Sequence, residues 1–430
     1  MKYFGTDGIR GSAYDYITYE MAYAVGRSLG LLENKKVMIA RDTRESGNMI
    51  SRALKSGIID AGLEVMDFGI IATPILAHMS IKEKCAGVMI TASHNPYYDN
   101  GIKVFYKGKK TTEEQEIIIE AVIDGAIPLS VIAGGKELDF VDPLPLYNKL
   151  FKNIKVISQR KIILDLANGA TISSAKYVFD KICKNVDYIG DKPDGLNINK
   201  GVGSTHIDSL ASYVVELGYD LGFSFDGDGD RVLAVDHTGR IIDGDLLIYI
   251  IACYLKEKRL LNNNLVVLTK MSNLGIISAL KAKGIETIQT DIGDKYVLEA
   301  LSQKKATIGG ENSGHIINRY LLDTGDGVLN AAFILKILEE KGVTIEQLIK
   351  DVTFYPDRLF NLRGIDRNLV NDPRIIELVE TIQYHLGSEG KVLVRPSGTE
   401  PLVRISASAK TQEEVDAIIK EISEKFQEIS

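Results

Sequence analysis

Ala86-Gly87-Val88-Met89-Ile90-Thr91-Ala92-Ser93-His94-Asn95-Pro96 carries the architecture of the chain in miniature. The apolar run 86–90 has the length and composition of a buried strand. The Asn95-Pro96 pair that follows reads as a turn. Ser93 therefore stands where a strand gives way to a loop, the place at which open α/β sheets hold their ligands. A strand-end serine that merely caps the next segment has the same local signature. The stretch gains weight from its surroundings.

Working outward, the run 86–90 is the third strand of a pattern that recurs three times. Apolar strands open each unit at 36–40, 161–165 and 265–269. A polar turn and a helical stretch follow, then short strands at 64–68, 186–189 and 286–289. After a second helical stretch come third strands at 86–90, 221–225 and 306–308. Strands alternating with helices predict βαβ units and largely parallel sheets. Right-handed crossovers place the loops after these strands on one edge of each sheet. Every third strand ends in an unusual loop: Ser93-His94-Asn95-Pro96, then Asp226-Gly227-Asp228-Gly229-Asp230-Arg231, then Gly309-Gly310-Glu311-Asn312-Ser313-Gly314-His315.

After Pro356 the pattern changes to strand (359–364), helix (373–386), two strands (392–394 and 402–406) and a final helix (412–426). The first of these helices has Asp372 as its cap, Pro373 at its first position and Gly387 beyond its end. The expected fold is three similar mixed α/β sheet domains around a central cleft plus a C-terminal α+β (TBP-like) domain. The boundaries fall at 1–150, 151–247, 248–356 and 357–430. A length of 430 residues, at about 150 per domain, suits three or four domains.

Composition narrows the class. Hydrophobic content of 45% and charged content of 25% are those of an ordinary globular protein. With a net charge of −7 and no basic block, nucleic acid is not an expected partner. The N-terminal stretch has no apolar core of a secretory signal. No run of about 18 apolar residues exists to cross a membrane. Cys85, Cys183 and Cys253 are far apart in apolar surroundings. They read as buried free thiols rather than a zinc site or disulfide framework, and a cytoplasmic location is expected.

Several loops carry chemistry. Asp226, Asp228 and Asp230 alternate with glycine, so their carboxylates can converge on one hard cation such as Mg²⁺. An EF-hand is excluded, because Arg231 and His237 occupy the positions that need Gly and Glu. The competing reading is a solvated acidic turn, but three like charges so close repel unless a cation is present. A serine hydrolase is disfavoured, since the Gly-x-Ser-x-Gly elbow is absent and the Ser93-His94 adjacency is not a triad. Lys103, ten residues on, can return to the Ser93 site. Arg10, in a Gly-rich loop, can meet an anion or simply shape a turn. The run Arg41-Asp42-Thr43-Arg44 reads as half structural, with an internal ion pair. Glu311 and Ser313, between Gly310 and Gly314, suit vicinal sugar hydroxyls. Arg395, Ser397 and Thr399 resemble a phosphate cradle, with a plain hairpin as the alternative.

Taken in order, Thr91-Ala92-Ser93-His94-Asn95-Pro96, 226–231, 310–315 and 395–401 make the chain resemble the α-D-phosphohexomutases along essentially its whole length. Within that family it is similar to the bacterial branch acting on glucosamine phosphates, through 3–11, 195–199, 203–206, 271–275 and Gly293-Asp294-Lys295-Tyr296-Val297. Lys295 stands where that branch usually has Arg, Val202 where it has Cys, and Asn312 where it has Gln.

The resemblance implies that Ser93 carries a phosphoryl group and joins Asp226, Asp228 and Asp230 around Mg²⁺. It implies that Arg10, His94 and Lys103 act at the transfer site, and that Arg231 supports the phosphoserine. Lys295, Glu311 and Ser313 would hold the sugar. Arg395, Ser397, Gly398 and Thr399 would bind the phosphate that is not reacting. The implied partner is a small hexosamine phosphate, converted between its 6- and 1-phosphates through a sugar 1,6-bisphosphate. A homodimer is left open. The alternatives are the same chemistry on mannose or glucose phosphates, a metal-dependent sugar phosphatase, and a non-catalytic sensor.

Overall fold

The computed structural model describes residues 1–5, 7–32, 35–387, 389–397 and 402–429, packed as two compact units. Residues 1–270 and 288–349 form the larger; residues 271–287 and 350–430 form the smaller.

Three sheets share one strand order: second strand, first strand, third strand, then a return strand. In the first sheet these are Glu64–Ile70, Lys36–Arg41, Ala86–Ile90 and Asp99–Tyr106. In the second they are Cys183–Ile189, Ser158–Asp165, Leu221–Phe225 and Val232–Asp236. In the third they are Glu286–Thr290, Leu265–Thr269, Ile308–Gly310 and Ile316–Asn318. The pairings established by the sequence pattern are parallel where the third strand meets the first. The return strand is antiparallel to the third in every sheet.

The sheets are mixed, as expected, with the third strand parallel to the first and the return strand an antiparallel addition that the sequence pattern did not show. Val232–Asp236 and Ile316–Asn318 are short segments directly after polar loops that mask them, and Asp99–Tyr106 is masked by its own polar opening Asp99-Asn100-Gly101. The return strand has a functional consequence: each chemical loop connects two adjacent antiparallel strands, so its ends are fixed by a hydrogen-bonded ladder.

The third strand of the third sheet begins at Ile308, two residues later than the pattern suggests, because it runs through Gly309 and Gly310. Glycine is a poor strand former, but here space requires it. A Cβ on Gly309 would stand 2.5 Å from the Val267 carbonyl of the neighbouring strand.

The core of the first sheet collects Val37, Ile39, Val88 and Ile90 with Ile50, Leu54 and Ile58 from the helix Gly47–Asp60. Burying each such side chain contributes about 1.5–3 kcal/mol. Among the described residues no helix is long and apolar enough to cross a membrane. Burial pushes the Cys85 thiol up to about 11 and the Cys183 thiol up to about 12, so both stay protonated and inert. Cys253 is half-buried rather than buried.

In the smaller unit the antiparallel strands run in the order Asp357–Arg363, Leu402–Ser408, Lys391–Pro396. The helices Pro373–Leu386 and Gln412–Ile429 contribute Ile375, Ile382, Val415, Ile422 and Phe426 to its core. The cap at Asp372 is real, since its carboxylate accepts the Arg374 N–H at 2.9 Å.

One polar contact deep in the larger unit sets a pH dependence. The Tyr147 hydroxyl donates to the Asp326 carboxylate at 2.9 Å, and Asp326 caps the helix Gly327–Lys341 through the Leu329 N–H. Burial pushes Asp326 up to about 7, although the Leu329 N–H and the Tyr147 hydroxyl favour the ionised form. The folded state therefore holds this proton more tightly than the unfolded state. Stability supplied by the protonated form is lost as pH rises from about 4 to about 7. Asp326→Asn, which retains the cap, removes that loss. Its thermal midpoint relative to the parent is expected to rise steadily between pH 4.5 and pH 8 in calorimetric scans.

Candidate functional site

The three hairpin loops meet inside the larger unit. The Ser93 hydroxyl donates to Asp226 Oδ2 at 2.6 Å. The Thr73 N–H donates to the Asp228 carbonyl at 2.9 Å, and Arg231 pairs with His315 as an isolated antiparallel bridge.

Ser93 sits at φ +53°, in the left-handed region, and is buried. Such a backbone costs on the order of 1–3 kcal/mol and persists only when its surroundings dictate it. Here they do. The Ser93 N–H donates to Thr91 Oγ1 at 2.8 Å. Its carbonyl accepts from Arg44 Nη2 at 3.0 Å and from Asn199 Nδ2 at 2.8 Å. The guanidinium of Arg44 is wholly buried and also donates to the carbonyls of Asn95, Pro96 and Asp99. Its Nε bonds Asp42 Oδ2 at 2.9 Å, the internal ion pair expected of the 41–44 run. Arg44 is thus the template on which the serine loop is cast.

The carboxylates of Asp226, Asp228 and Asp230 are buried, with one oxygen of each within 4.8 Å of the others. Gly227 allows this packing, since a Cβ there would lie 2.5 Å from the Ser93 carbonyl. Lys103 Nζ lies 2.8 Å from Asp228 Oδ2, 3.1 Å from Asp230 Oδ2 and 3.0 Å from Asp7 Oδ2. Burial alone would favour the neutral amine, but the three carboxylates hold the Lys103 ammonium well above its ordinary range. Burial pushes the Asp226 carboxyl up, and the charges of Asp230 and Asp228 push it further. Burial acts the same way on Asp228, but Lys103 outweighs it and keeps that carboxyl well below its usual value.

Two oxygens, Asp228 Oδ1 and Asp230 Oδ1, are buried without a hydrogen-bond partner. Unsatisfied buried carboxylate oxygens are costly. Their presence beside Ser93, in an all-oxygen donor set, fits a hard divalent cation such as Mg²⁺.

The other expected site residues divide into groups. His94 Nδ1 is 3.3 Å from Ser93 Oγ; burial, then Arg231 and Arg10, depress its imidazole to about 4. Arg10 pairs with Asp7, and the Nε atoms of Arg10 and Arg231 are buried without partners. Glu311 accepts the Gly293 N–H at 3.0 Å. Ser313 is half-buried one turn further along the same loop, and the Asn312 side chain is exposed. Lys295 is exposed and lines a small cavity with Asp7, Lys103, Lys110 and Glu116.

In the smaller unit, Arg395 is exposed at a strand end and Ser397 is buried, its N–H bonded to the Leu402 carbonyl. Gly398 and Thr399 lie outside the described residues. Arg395 stands directly across from Arg404.

Sequence reasoning did not single out Asn199, Thr73 or Arg404. Thr73 Oγ1 donates to Asp228 Oδ2 at 2.6 Å. Asn199 was visible only as part of the stretch 195–199. His315 closes a quoted motif, yet its place between Asp230 and Asp294, at 3.7 and 3.8 Å, emerges only in three dimensions. Arg44 yields the test of the site's scaffold. Arg44→Met leaves Asp42 buried and unpaired and is expected to cost about 3–5 kcal/mol in urea denaturation. Arg52→Met, at an exposed helix position, is expected to stay within about 0.5 kcal/mol.

Comparison with known proteins agrees with this geometry. Family models described as phosphoglucomutase/phosphomannomutase alpha/beta/alpha domains I, II and III match residues 1–127, 145–239 and 243–355. The C-terminal domain of that family matches residues 360–425. The chain is 43% identical to a phosphoglucosamine mutase of Lactococcus lactis, covering 99% of this chain and 98% of that one. It superposes on a phosphoglucomutase/phosphomannomutase family protein of Burkholderia thailandensis with a TM-score of 0.81 at 20% identity, covering 98% and 97% of the two chains. An Aspergillus fumigatus N-acetylphosphoglucosamine mutase, solved with GlcNAc-6P and magnesium, gives a TM-score of 0.68 at 18% identity, covering 98% and 94%.

Proposed function

The chain belongs to the phosphoglucomutase/phosphomannomutase family, and we propose that within it the enzyme interconverts glucosamine 6-phosphate and glucosamine 1-phosphate. The observation that carries the chemistry is the Ser93 hydroxyl, held in a strained loop 2.6 Å from a buried aspartate of a three-carboxylate cluster. The full-length 43% identity to phosphoglucosamine mutases supports the choice of sugar.

In this reading Ser93 carries a phosphoryl group between turnovers. The P–Oγ bond breaks as a free hydroxyl oxygen of the sugar phosphate bonds to phosphorus, and the hydroxyl proton leaves to a base. A sugar 1,6-bisphosphate results. It turns round, and Ser93 Oγ takes the other phosphoryl group. Asp226, Asp228, Asp230 and Ser93 would hold Mg²⁺, which when bound would offset the charge on the transferring group.

The remaining roles belong to side chains. Lys103, pinned by Asp7, Asp228 and Asp230, presents a positive charge at the aspartate cluster. His94 Nδ1 lies within reach of a proton on the serine oxygen. Arg10 and Arg231 bring guanidinium groups with buried, unpartnered Nε atoms to the same place. Glu311 and Ser313 hold the sugar hydroxyls, Lys295 supports that segment, and Arg395, Ser397, Gly398 and Thr399 take the distal phosphate. The corresponding domains are a phosphoserine domain (1–150), a metal-binding domain (151–247), a sugar-binding domain (248–356) and a phosphate-binding domain (357–430). We place the reaction in the cytoplasm, where Cys85 and Cys183 remain thiols.

An activity panel decides the reading. Glucosamine, glucose and mannose phosphates are assayed with and without catalytic sugar 1,6-bisphosphate, while released inorganic phosphate is followed. The expected result is preference for glucosamine phosphate, stimulation by bisphosphate and no net phosphate release. A glucose or mannose preference shifts the substrate, and stoichiometric phosphate release indicates a phosphatase instead. Ser93→Ala is expected to lower turnover at least about a thousandfold and to abolish a one-phosphate mass increment on the intact chain. Chelation with EDTA is expected to stop turnover reversibly, with Mg²⁺ restoring it.

A further inference from the structure

Six titratable side chains close a ring around a small cavity beside the aspartate cluster. Starting at Lys103, the ammonium lies 3.0 Å from Asp7 Oδ2. Asp7 Oδ1 is 2.7 Å from Lys110 Nζ, and Lys110 Nζ is 2.7 Å from Asp294 Oδ1. Asp294 Oδ2 is 3.8 Å from His315 Nε2, and His315 Nδ1 is 3.7 Å from Asp230 Oδ1. Asp230 Oδ2 returns to Lys103 at 3.1 Å. Carboxylates alternate with nitrogen-bearing side chains around the circuit.

The ring draws on all three sheets. Asp7 lies in the turn between the short strands Phe4–Gly5 and Gly8–Ser12 of the first sheet. Lys103 lies on Asp99–Tyr106, and Lys110 on the strand Lys109–Lys110 that pairs with it. Asp230 comes from the hairpin loop of the second sheet. His315 comes from that of the third, and Asp294 opens the helix Asp294–Lys304. Lys110 and Asp294 touch neither Ser93 nor any residue of the aspartate triad directly among the contacts described.

We propose that Lys110 and Asp294 are positioning residues for the transfer reaction: they close the ring that fixes the Lys103 ammonium against Asp228 and Asp230. Three features carry this. A lysine stem has four rotatable bonds and no preferred direction of its own. Lys103 keeps a single position because three carboxylates surround it, and one of these, Asp7, is itself drawn between Lys103 and Lys110. Without Lys110, Asp7 loses one of its three cations, the one that holds Oδ1 away from Arg10, and its carboxylate can turn toward Arg10. Without Asp294, Lys110 has only Asp7 left in the ring, and the tie to the segment bearing Gly293 and Glu311 is cut. The ring also explains why the Lys109–Lys110 strand, short and half-exposed, is paired at all: it delivers one ammonium across a domain boundary.

The inference rests on the mutase reading, and the experiment separates the two. Wild type, Lys110→Met, Asp294→Asn and the combined variant are assayed for conversion of glucosamine phosphate with saturating bisphosphate. Each single variant is expected to lower kcat about tenfold while KM for the sugar phosphate stays within about twofold. The combined variant is expected to be no slower than the slower single one, because side chains of one network do not act additively. Lys110→Arg, which keeps the charge, is expected to recover most of the rate. Unchanged kcat in the single variants overturns the inference, as does an effect on KM alone, multiplicative losses in the combined variant, or failure of Lys110→Arg to recover the rate. Should Lys110→Met not fold, the near-isosteric Asp294→Asn and Lys110→Arg decide the matter by the same kcat criterion. A wild type without mutase activity refutes the functional reading instead, independently of the ring.

Discussion

Everything in the larger unit is arranged around the cost of burying negative charge. Asp226, Asp228 and Asp230 are withdrawn from water at the end of one strand. In such surroundings carboxylates either take up protons or find cations. Both responses are visible: Asp226 is pushed up and Asp228 is held down by Lys103. Asp7, Asp226, Asp228, Asp230, Asp294 and Glu311 face Arg10, Lys103, Lys110 and Arg231. Asp228 Oδ1 and Asp230 Oδ1 are left without a hydrogen-bond partner, and a divalent cation fits beside them.

The repeated topology is what makes that concentration of charge achievable. Each sheet places its third strand beside an antiparallel return strand, so the loop between them is anchored at both ends. A free loop carrying three carboxylates would spread them apart. A loop clamped between Leu221–Phe225 and Val232–Asp236, with Gly227 packed onto the Ser93 carbonyl, cannot. The serine loop uses a different clamp, the buried Arg44 fork on the carbonyls of residues 93, 95, 96 and 99. The strain at Ser93 is offset by that fork and by the Asn199 amide, from the loop after the strand Cys183–Ile189.

Much of this was legible in the chain itself, and what was not has identifiable causes. Leu221–Phe225 and Leu265–Thr269 stand where their apolar runs predict, and the helix Pro373–Leu386 starts and stops at its cap signals. The return strands were missed because 232–236 and 316–318 follow charged loops too closely to be separated from them by composition. The strand Ile308–Gly310 was displaced because two glycines hide it. At the site, Ser93, Lys103 and the three aspartates were marked by local spacing, and they do converge. Arg44 lay in a run read as half structural, and that role is real: its guanidinium serves the backbone rather than a ligand. Asp7 and Asp294 were visible only as members of the stretches 3–11 and 293–297, and Lys110 carried no local signal, since an ion pair between residues 110 and 294 has no sequence periodicity to betray it.

That difference between local and non-local signals follows from what each group has to do. A group that bonds the reacting atoms must sit on a tightly specified loop, and tight loops need glycine, proline and strand ends, all of which are readable. A group that only balances charge needs the right sign within about 3–4 Å, and any segment that passes by can supply it. The first kind is therefore written as a motif and the second as a coincidence of three domains. For this chain the consequence is that the aspartate cluster can be recognised from six consecutive residues. The electrostatic environment that keeps it folded requires residues from position 7 to position 315, and it forms only when all three sheets have been built.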